Sequence, residues 1–468
     1  MNKTSKIICI IFTAVFVLAA LVPLAGMIFT GGRVNDAEQR TPASFPEIVA
    51  DGKLNLDFGS GFEDWFADRF ALRSELADAN GKAMLAIFGT SPEDSVVAGK
   101  DGWLFYADTV ADYLREERLT DAELQRLVNS IKLESDYVRS IGGVYVFAAA
   151  PNKNSIYPEM MGPLFSQNEG NSLLERLNAA LASEGVMVCD LKQVLTDNKT
   201  SGQLYYTGDS HWNLYGSIFV RDALLEKIGS AAGINVSGNG RTKETLSDGQ
   251  REDDLLKMVR PGEPKMFERF SNDSSAIKYK VKGRMASLDD MLIETSCEGT
   301  PLRLLMFRDS FGRALIQPLA NTFSEVVFTR GVPFDIYGKA GLYDGELRTV
   351  VVREIVERNL TDLLKNAPVV PAPSVAEGSE VLKSMTCCEK EMISVEKGTG
   401  SHGLVRICGI ARGVDDSYSR VIVKAGGVYY EAFPFCDASS DLREEAGCGF
   451  TLWIVSESDV EIEAVYAG

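Results

Sequence analysis

Leu302-Arg-Leu-Leu-Met-Phe307, then Arg308-Asp-Ser-Phe-Gly312, then Arg313-Ala-Leu-Ile-Gln317, is the stretch that decides how the chain is read. An apolar run, a tight Ser-Phe-Gly turn and a helical start spell strand, turn, helix. That order exposes the Ser310 hydroxyl at the carboxyl end of a sheet. It also sets it beside a helix N-terminus, where unpaired N–H groups, here those of Ser310 or Phe311, stabilise an oxyanion. A serine hydroxyl is a poor nucleophile until a base takes its proton and an acid orients the base. The chain has two histidines in 468 residues, and one of them stands in Asp209-Ser210-His211-Trp212. Residues two apart point to opposite sides of a helix, so Asp209 and His211 need a turn or an extended segment. The preceding Thr207-Gly208 suits a turn. Ser310, His211 and Asp209 are therefore the candidate nucleophile, base and acid. The plainer reading of the same residues is a turn at 209–211 and a helix cap at Ser310.

Outward from this stretch, the pattern alternates. Val144–Ala149 is a continuous apolar run of the kind a doubly covered strand shows. Asn171–Glu184 reads as helix, Val186–Leu191 as strand and Leu214–Ile228 as helix. Glu325–Phe328 and Thr349–Val352 are further short strands, with helices expected from Arg313 and over Arg353–Leu364. Such alternation predicts an α/β fold, a parallel sheet with helices on both faces. Sites in these sheets lie beyond the carboxyl ends of the strands. Pro151-Asn152-Lys153, Arg308-Asp309-Ser310 and Thr329-Arg330-Gly331 all follow strands closely. Asn152, Lys153 and Arg308 are thus polar candidates beside the site, each also readable as a structural cap or a surface charge. Residues 231–300 interrupt the alternation and read either as a lid or cleft wall or as a passive surface excursion.

Before the alternation, Phe58–Phe88 has helical spacing, and Phe62, Trp65, Phe66, Phe70, Leu72 and Leu76 suggest one buried face. Val96–Tyr106 reads as a hairpin about Lys-Asp-Gly. Thr120–Ser140 reads as a helix with a capping box from Thr120 and Glu123. After it, 366–379 carries three prolines and reads as a linker. Short alternating runs over 380–468 then predict a small β-sandwich. Tyr429, Tyr430 and Trp453 in that sandwich suit either glycan binding or its core, and His402 reads as exposed.

Composition narrows the classes. A net charge of −18 argues against a nucleic-acid partner, which would leave a basic footprint. Ile7–Thr30 carries no charged residue and follows Lys3 and Lys6. Its length suits an uncleaved signal anchor over residues 1–32, with the N-terminus cytoplasmic and the main domains extracellular or periplasmic. Eight cysteines, five of them after residue 380, allow one or two disulfides in an exported domain, or buried free thiols. No Cys-x-x-Cys pair occurs, which argues against zinc, and nothing points to another metal or a cofactor.

Several blocks, taken together, resemble the DHHW proteins and the related alginate O-acetyltransferases. They are Asp36-Ala-Glu-Gln-Arg-Thr-Pro-Ala-Ser-Phe-Pro46, Phe62-Glu-Asp-Trp-Phe-Ala-Asp-Arg-Phe-Ala-Leu-Arg73, Gly99-Lys-Asp-Gly-Trp-Leu-Phe-Tyr106, Pro151-Asn-Lys-Asn-Ser-Ile-Tyr-Pro-Glu159 and Asp209-Ser-His-Trp212. Arg308-Asp-Ser-Phe-Gly312 and Val352-Arg-Glu-Ile-Val-Glu-Arg-Asn-Leu360 follow in the family order. The resemblance covers about residues 33–365. It implies an SGNH-hydrolase-like α/β domain outside the membrane and an acetyl transfer onto an exported polysaccharide, or acetyl removal from one. It also implies Asp209, His211 and Ser310 as the triad, and a multi-pass membrane acyltransferase as the source of acetyl groups. Ser210 stands where the family's name has a histidine. A non-catalytic glycan-binding or assembly protein is the reading from another class. Gly208-Asp209-Ser210 also spells the nucleophile motif of ordinary SGNH hydrolases, but a nucleophile at Ser210 would need a later Asp-x-x-His, and only His402 follows.

Overall fold

Four parallel strands carry the centre of the structure. The computed structural model describes residues 3–30, 43–236, 253–261, 277–437 and 447–468, apart from 51, 71, 117, 118, 401 and 457–459. Two units divide the chain, Met1–Ala107 with Gln250–Phe267, and Asp108–Gly249 with Glu268–Gly468. The second holds a six-stranded sheet built from β1 (Val144–Ala150), β2 (Lys280–Lys282), β3 (Leu292–Ser296), β4 (Thr300–Phe307), β5 (Phe323–Thr329) and β6 (Arg348–Val356). Their spatial order is β1-β6-β4-β5-β3-β2. Pairing is parallel from β1 through β5, and β3 and β2 add on antiparallel. The parallel strands therefore end at one edge, at Ala150, Val356, Phe307 and Thr329.

Every residue of β1 is buried, as its unbroken apolar run requires. Tyr145, Phe147, Leu305, Phe307 and Val351 share one core with the helices Asp121–Ser140 and Leu173–Ser183. The alternate residues Val146, Leu304, Met306, Val350 and Val352 are buried on the other side. Thr120 and Glu123 form the expected capping box, and Ser172 with Glu175 forms a second.

Three expectations change. Val186–Leu191 makes a single bridge, Val188 to Phe147, because Asp190 accepts from the Gln193 N–H at 3.1 Å and starts the helix Leu191–Asn198 instead. The helix expected from Arg353 is strand up to Val356, followed by a 3₁₀ helix over Glu357–Leu364. Arg353 and Glu354 look like a helical surface in sequence, yet both are buried. The Arg353 guanidinium lies 4.0 Å from the Phe307 ring centre, and Glu354 accepts from the Asp309 N–H. In the 231–300 interruption, 237–252 and 262–276 lie outside the described residues. Its later part extends the sheet as β2 and β3 rather than forming a lid.

Residues 366–379 are packed: Ala367, Val369 and Val370 are buried, and Ser374–Val375 is an edge strand. The C-terminal region has a five-stranded and a three-stranded antiparallel sheet. Ile407, Phe450, Val423 and Val465 belong to the core the two sheets share. Tyr429 and Trp453 are buried and Tyr430 is half-buried, so these aromatics serve the core. His402 Nε2 lies 3.2 Å from Asp335 Oδ2, and Gly338 beneath it has no room for a Cβ. All eight cysteines are free thiols. The Cys408 thiol is hydrogen-bonded to that of Cys436, and this bond together with burial pushes its pKa up.

In the first unit, Val96–Ala98 and Leu104–Tyr106 pair as the expected hairpin. The expected helical stretch is two helices, Phe58–Arg69 and Arg73–Ala83, broken where Leu72 adopts a left-handed conformation. Phe58–Arg69 buries no residue, so the aromatic face reads wrongly as core. Lys3–Thr30 forms one helix of 28 residues. Parts of it lack described side chains, and among the described residues no helix is long and apolar enough to cross a membrane.

Candidate active site

The loop after β4 begins with Asp309. Its Oδ1 accepts from the Phe311 N–H at 2.8 Å, and its Oδ2 accepts from the Val356 N–H of β6 at 2.7 Å. The first bond is an Asx turn, the second a stitch to the neighbouring strand. Together they fix Ser310 at the cap of the short 3₁₀ helix Phe311–Leu315. Beneath the turn, Glu354 is fully buried, and burial and the neighbouring Asp309 carboxylate push its pKa well above the usual carboxylate range. A Cβ on Gly312 would fall 2.6 Å from Arg308 Cβ and 2.9 Å from Glu354 Oε2. Gly312→Ala is therefore expected to destabilise the protein by about 1–3 kcal/mol through overpacking, read as a lower midpoint in thermal unfolding.

The second half of the site comes from the loop between the helices Leu191–Asn198 and Leu214–Ala232. Tyr205 and Trp212 pair as an antiparallel bridge, so residues 206–211 form a closed turn. Asn213 caps the following helix, its Oδ1 accepting from the Gly216 N–H at 2.8 Å. The turn is moored to the end of β1 by two groups. The Tyr205 hydroxyl donates to the Pro151 carbonyl at 2.7 Å. The buried Lys153 ammonium donates to the carbonyls of Tyr206, Thr207 and Asp209 at 3.1, 3.0 and 2.7 Å.

These two loops bring three side chains together. His211 Nδ1 lies 2.7 Å from Asp209 Oδ1, and His211 Nε2 lies 2.8 Å from Ser310 Oγ. Asp209 Oδ1 also accepts from the His211 N–H at 2.9 Å, which fixes the loop and the ring with one carboxylate. A carboxylate at Nδ1 favours the tautomer protonated there and leaves the Nε2 lone pair facing the serine hydroxyl. The Phe311 ring is 4.6 Å from the imidazole and 5.0 Å from the Trp212 indole, so it backs the base. Asp209 is buried and His211 half-buried, an arrangement that leaves the reacting edge open while shielding the acid.

Asn152, Lys153 and Arg308 make hydrogen bonds within the protein, the structural alternative in their sequence reading. The Phe311 N–H is held by Asp309, so it is not free for an oxyanion; the Ser310 N–H has no acceptor among the described residues. Arg308 is fully buried, and its Nη2 donates to the carbonyls of Leu288 and Asp290 at 2.7 and 3.0 Å, bracing the segment before β3. Burial holds its pKa below the usual guanidinium range. Asn152 donates from Nδ2 to Asp112 at 3.2 Å, and its N–H donates to Glu357. Lys153 is a mooring group rather than a surface charge. Asp309 escapes the sequence reading, although Asp two residues before an N–H donor at a strand end is a recognisable turn signal.

Residues 96–297 match the family model of the SGNH hydrolase-like domain of acetyltransferase AlgX. The probable alginate O-acetylase AlgJ of Azotobacter vinelandii is 26% identical over 256 residues, covering 53% of this chain and 62% of the relative. The chain thus matches less than two thirds of that relative's length. Among solved structures, the O-acetyltransferase domain of Pseudomonas putida AlgJ has 19% identity and a TM-score of 0.39, covering 57% of this chain and 92% of that one. A DHHW family protein from Eubacterium siraeum has 14% identity and a TM-score of 0.40, covering 59% and 95%. By its motifs, the matched domain and the AlgJ relative, the chain is similar to the AlgX/AlgJ-like SGNH hydrolase-like proteins.

Proposed function

We infer that the protein is an extracytoplasmic O-acetyltransferase that moves an acetyl group onto a hydroxyl of an exported or cell-wall polysaccharide. The observation that carries the reading is the 2.8 Å approach of His211 Nε2 to Ser310 Oγ, with Asp209 behind the ring. The naming of the relatives as alginate O-acetylases supports acetyl as the group and polysaccharide as the acceptor class. His211 takes the Ser310 proton as Oγ attacks the acyl carbonyl of the donor. The Ser310 N–H stabilises the tetrahedral oxyanion. Nε2–H then gives its proton to the leaving group, and the acetyl remains on Ser310. In the second half, a sugar hydroxyl gives its proton to Nε2 and its oxygen attacks the acyl-serine. The proton returns to Ser310 Oγ as the acetylated sugar leaves.

The uncharged run Ile7–Thr30 supports a membrane anchor, since 24 residues of helix span about 36 Å. Anchored outside the cell, the enzyme receives its acetyl group from a multi-pass membrane acyltransferase, because acetyl-CoA stays in the cytoplasm. The test is product partition from an acetyl-ester donor, with and without oligosaccharide acceptors. The expected result is acetylated oligosaccharide, formed only with Ser310 in place. Acetate as the sole product, unaffected by any acceptor, would make the protein an esterase. No Ser310-dependent product would make it a binding protein.

A further inference from the structure

We propose that the aromatic face of Phe58–Arg69 and the small hairpin before it, Val49–Ala50 paired with Lys53–Leu54, lie in the headgroup–acyl boundary of the bilayer that Lys3–Thr30 enters, as a second membrane contact. This rests on the anchored reading above. Phe45, Phe58, Phe62 and Trp65 form one cluster, with Phe45 5.0 Å from Trp65 and 6.1 Å from Phe62. Positions 58, 62 and 65 fall on one stripe of the helix, while Glu63, Asp64 and Asp68 fall away from it. No member of the cluster is fully buried: Phe45 and Phe62 are exposed and Phe58 and Trp65 half-buried. Phe45 is 52% exposed, Leu54 70% and Leu56 90%, and the helix buries nothing. Exposed apolar side chains gathered in this way mark an interaction face.

Three observations choose lipid as the occupant. The face starts fifteen residues after Thr30, so the intervening chain reaches at most about 50 Å. A short tether holds it near the bilayer surface at high effective concentration. Its composition, Trp and Phe with aliphatic neighbours, is that of residues that settle at membrane interfaces. The Arg69 guanidinium stands 5.2 Å from the Trp65 ring centre and donates from Nη1 to the Ala43 carbonyl at 2.9 Å, so its remaining N–H groups are the ones left to meet phosphate at the edge of the aromatic face. The flanking carboxylates and the net charge of −18 mean that the contact is driven by aromatic partition, not by attraction to anionic lipid.

Trp65 supplies the test, because Trp103, Trp212 and Trp453 are buried and Lys3–Thr30 contains no tryptophan. The full chain is placed in phosphatidylcholine nanodiscs carrying lipids brominated at defined depths. Shallow bromines should quench a fraction of the emission, and Trp65→Phe should remove that fraction. Leu56→Ser, at an exposed position, should reduce it with the fold unchanged by circular dichroism. Adding phosphatidylglycerol should not increase it. Carbonate extraction reads the anchor separately. Release of the chain would overturn both ideas. A chain that stays embedded while aqueous iodide, not bromolipid, quenches Trp65 would overturn the face alone. Shielding from both quenchers would also overturn it, and would mean that a second copy or another protein covers the face.

Discussion

Ser310→Ala is expected to lower acetyl transfer by about 10³- to 10⁶-fold, with thermal stability nearly unchanged. Among the described residues the hydroxyl makes one side-chain hydrogen bond, to His211 Nε2, so its removal costs the fold little. Under the proposed mechanism it removes the atom that carries the acyl group. His211→Ala should cause a loss of similar size, because an unassisted hydroxyl is nearly inert near neutral pH. The two changes remove one function, so the double variant should be no slower than the worse single one. Rates from the same acetyl-ester donor, measured alongside melting curves, decide the matter. A Ser310→Ala protein that retained more than about a tenth of the rate would rule this residue out as the nucleophile.

Lys153→Met should damage both stability and rate. Its ammonium is buried and satisfies three carbonyls of the turn that carries Asp209 and His211. Methionine keeps the apolar stem and removes all three donors, leaving buried acceptors unmet at a total cost of about 2–4 kcal/mol. The turn then loses its mooring, and a displacement of about 1 Å of the base is worth about 100-fold in rate. A role confined to stability would leave the rate intact well below the melting temperature. The discriminating measurement is therefore how fast a fluorophosphonate labels Ser310 at low temperature. Labelling should be slowed far more than donor binding is weakened.

Much of this site is legible in the amino-acid order alone. The rarity of histidine draws attention to Asp209-Ser210-His211, and the strand–turn–helix pattern singles out Ser310. The partnership of the two rests on topology, since β4 and the 206–211 turn are distant in sequence. What stays hidden is where buried polar groups spend their hydrogen bonds. Lys153 and Arg308 look like surface or ligand-facing cations because their charge is visible in sequence and their backbone acceptors are not. Arg353 and Glu354 mislead for the same reason, since charged residues at helical spacing imitate a solvated face, while inside the sheet Arg353 stacks on Phe307 and Glu354 accepts a backbone N–H. The Phe58–Phe88 aromatics fail in the opposite sense. Periodicity says that a stripe is apolar, and not whether protein covers it.

The joint core of the α/β part and the C-terminal strands constrains anyone wishing to shorten the protein. Leu404, Phe433, Phe435 and Trp453 sit in the same core as Phe334, Leu360 and Val370. Ending translation near residue 366 would strip these neighbours away and leave a greasy scar on the α/β half. Expression of that half by itself should yield aggregates, so a shortened form must keep its last hundred residues.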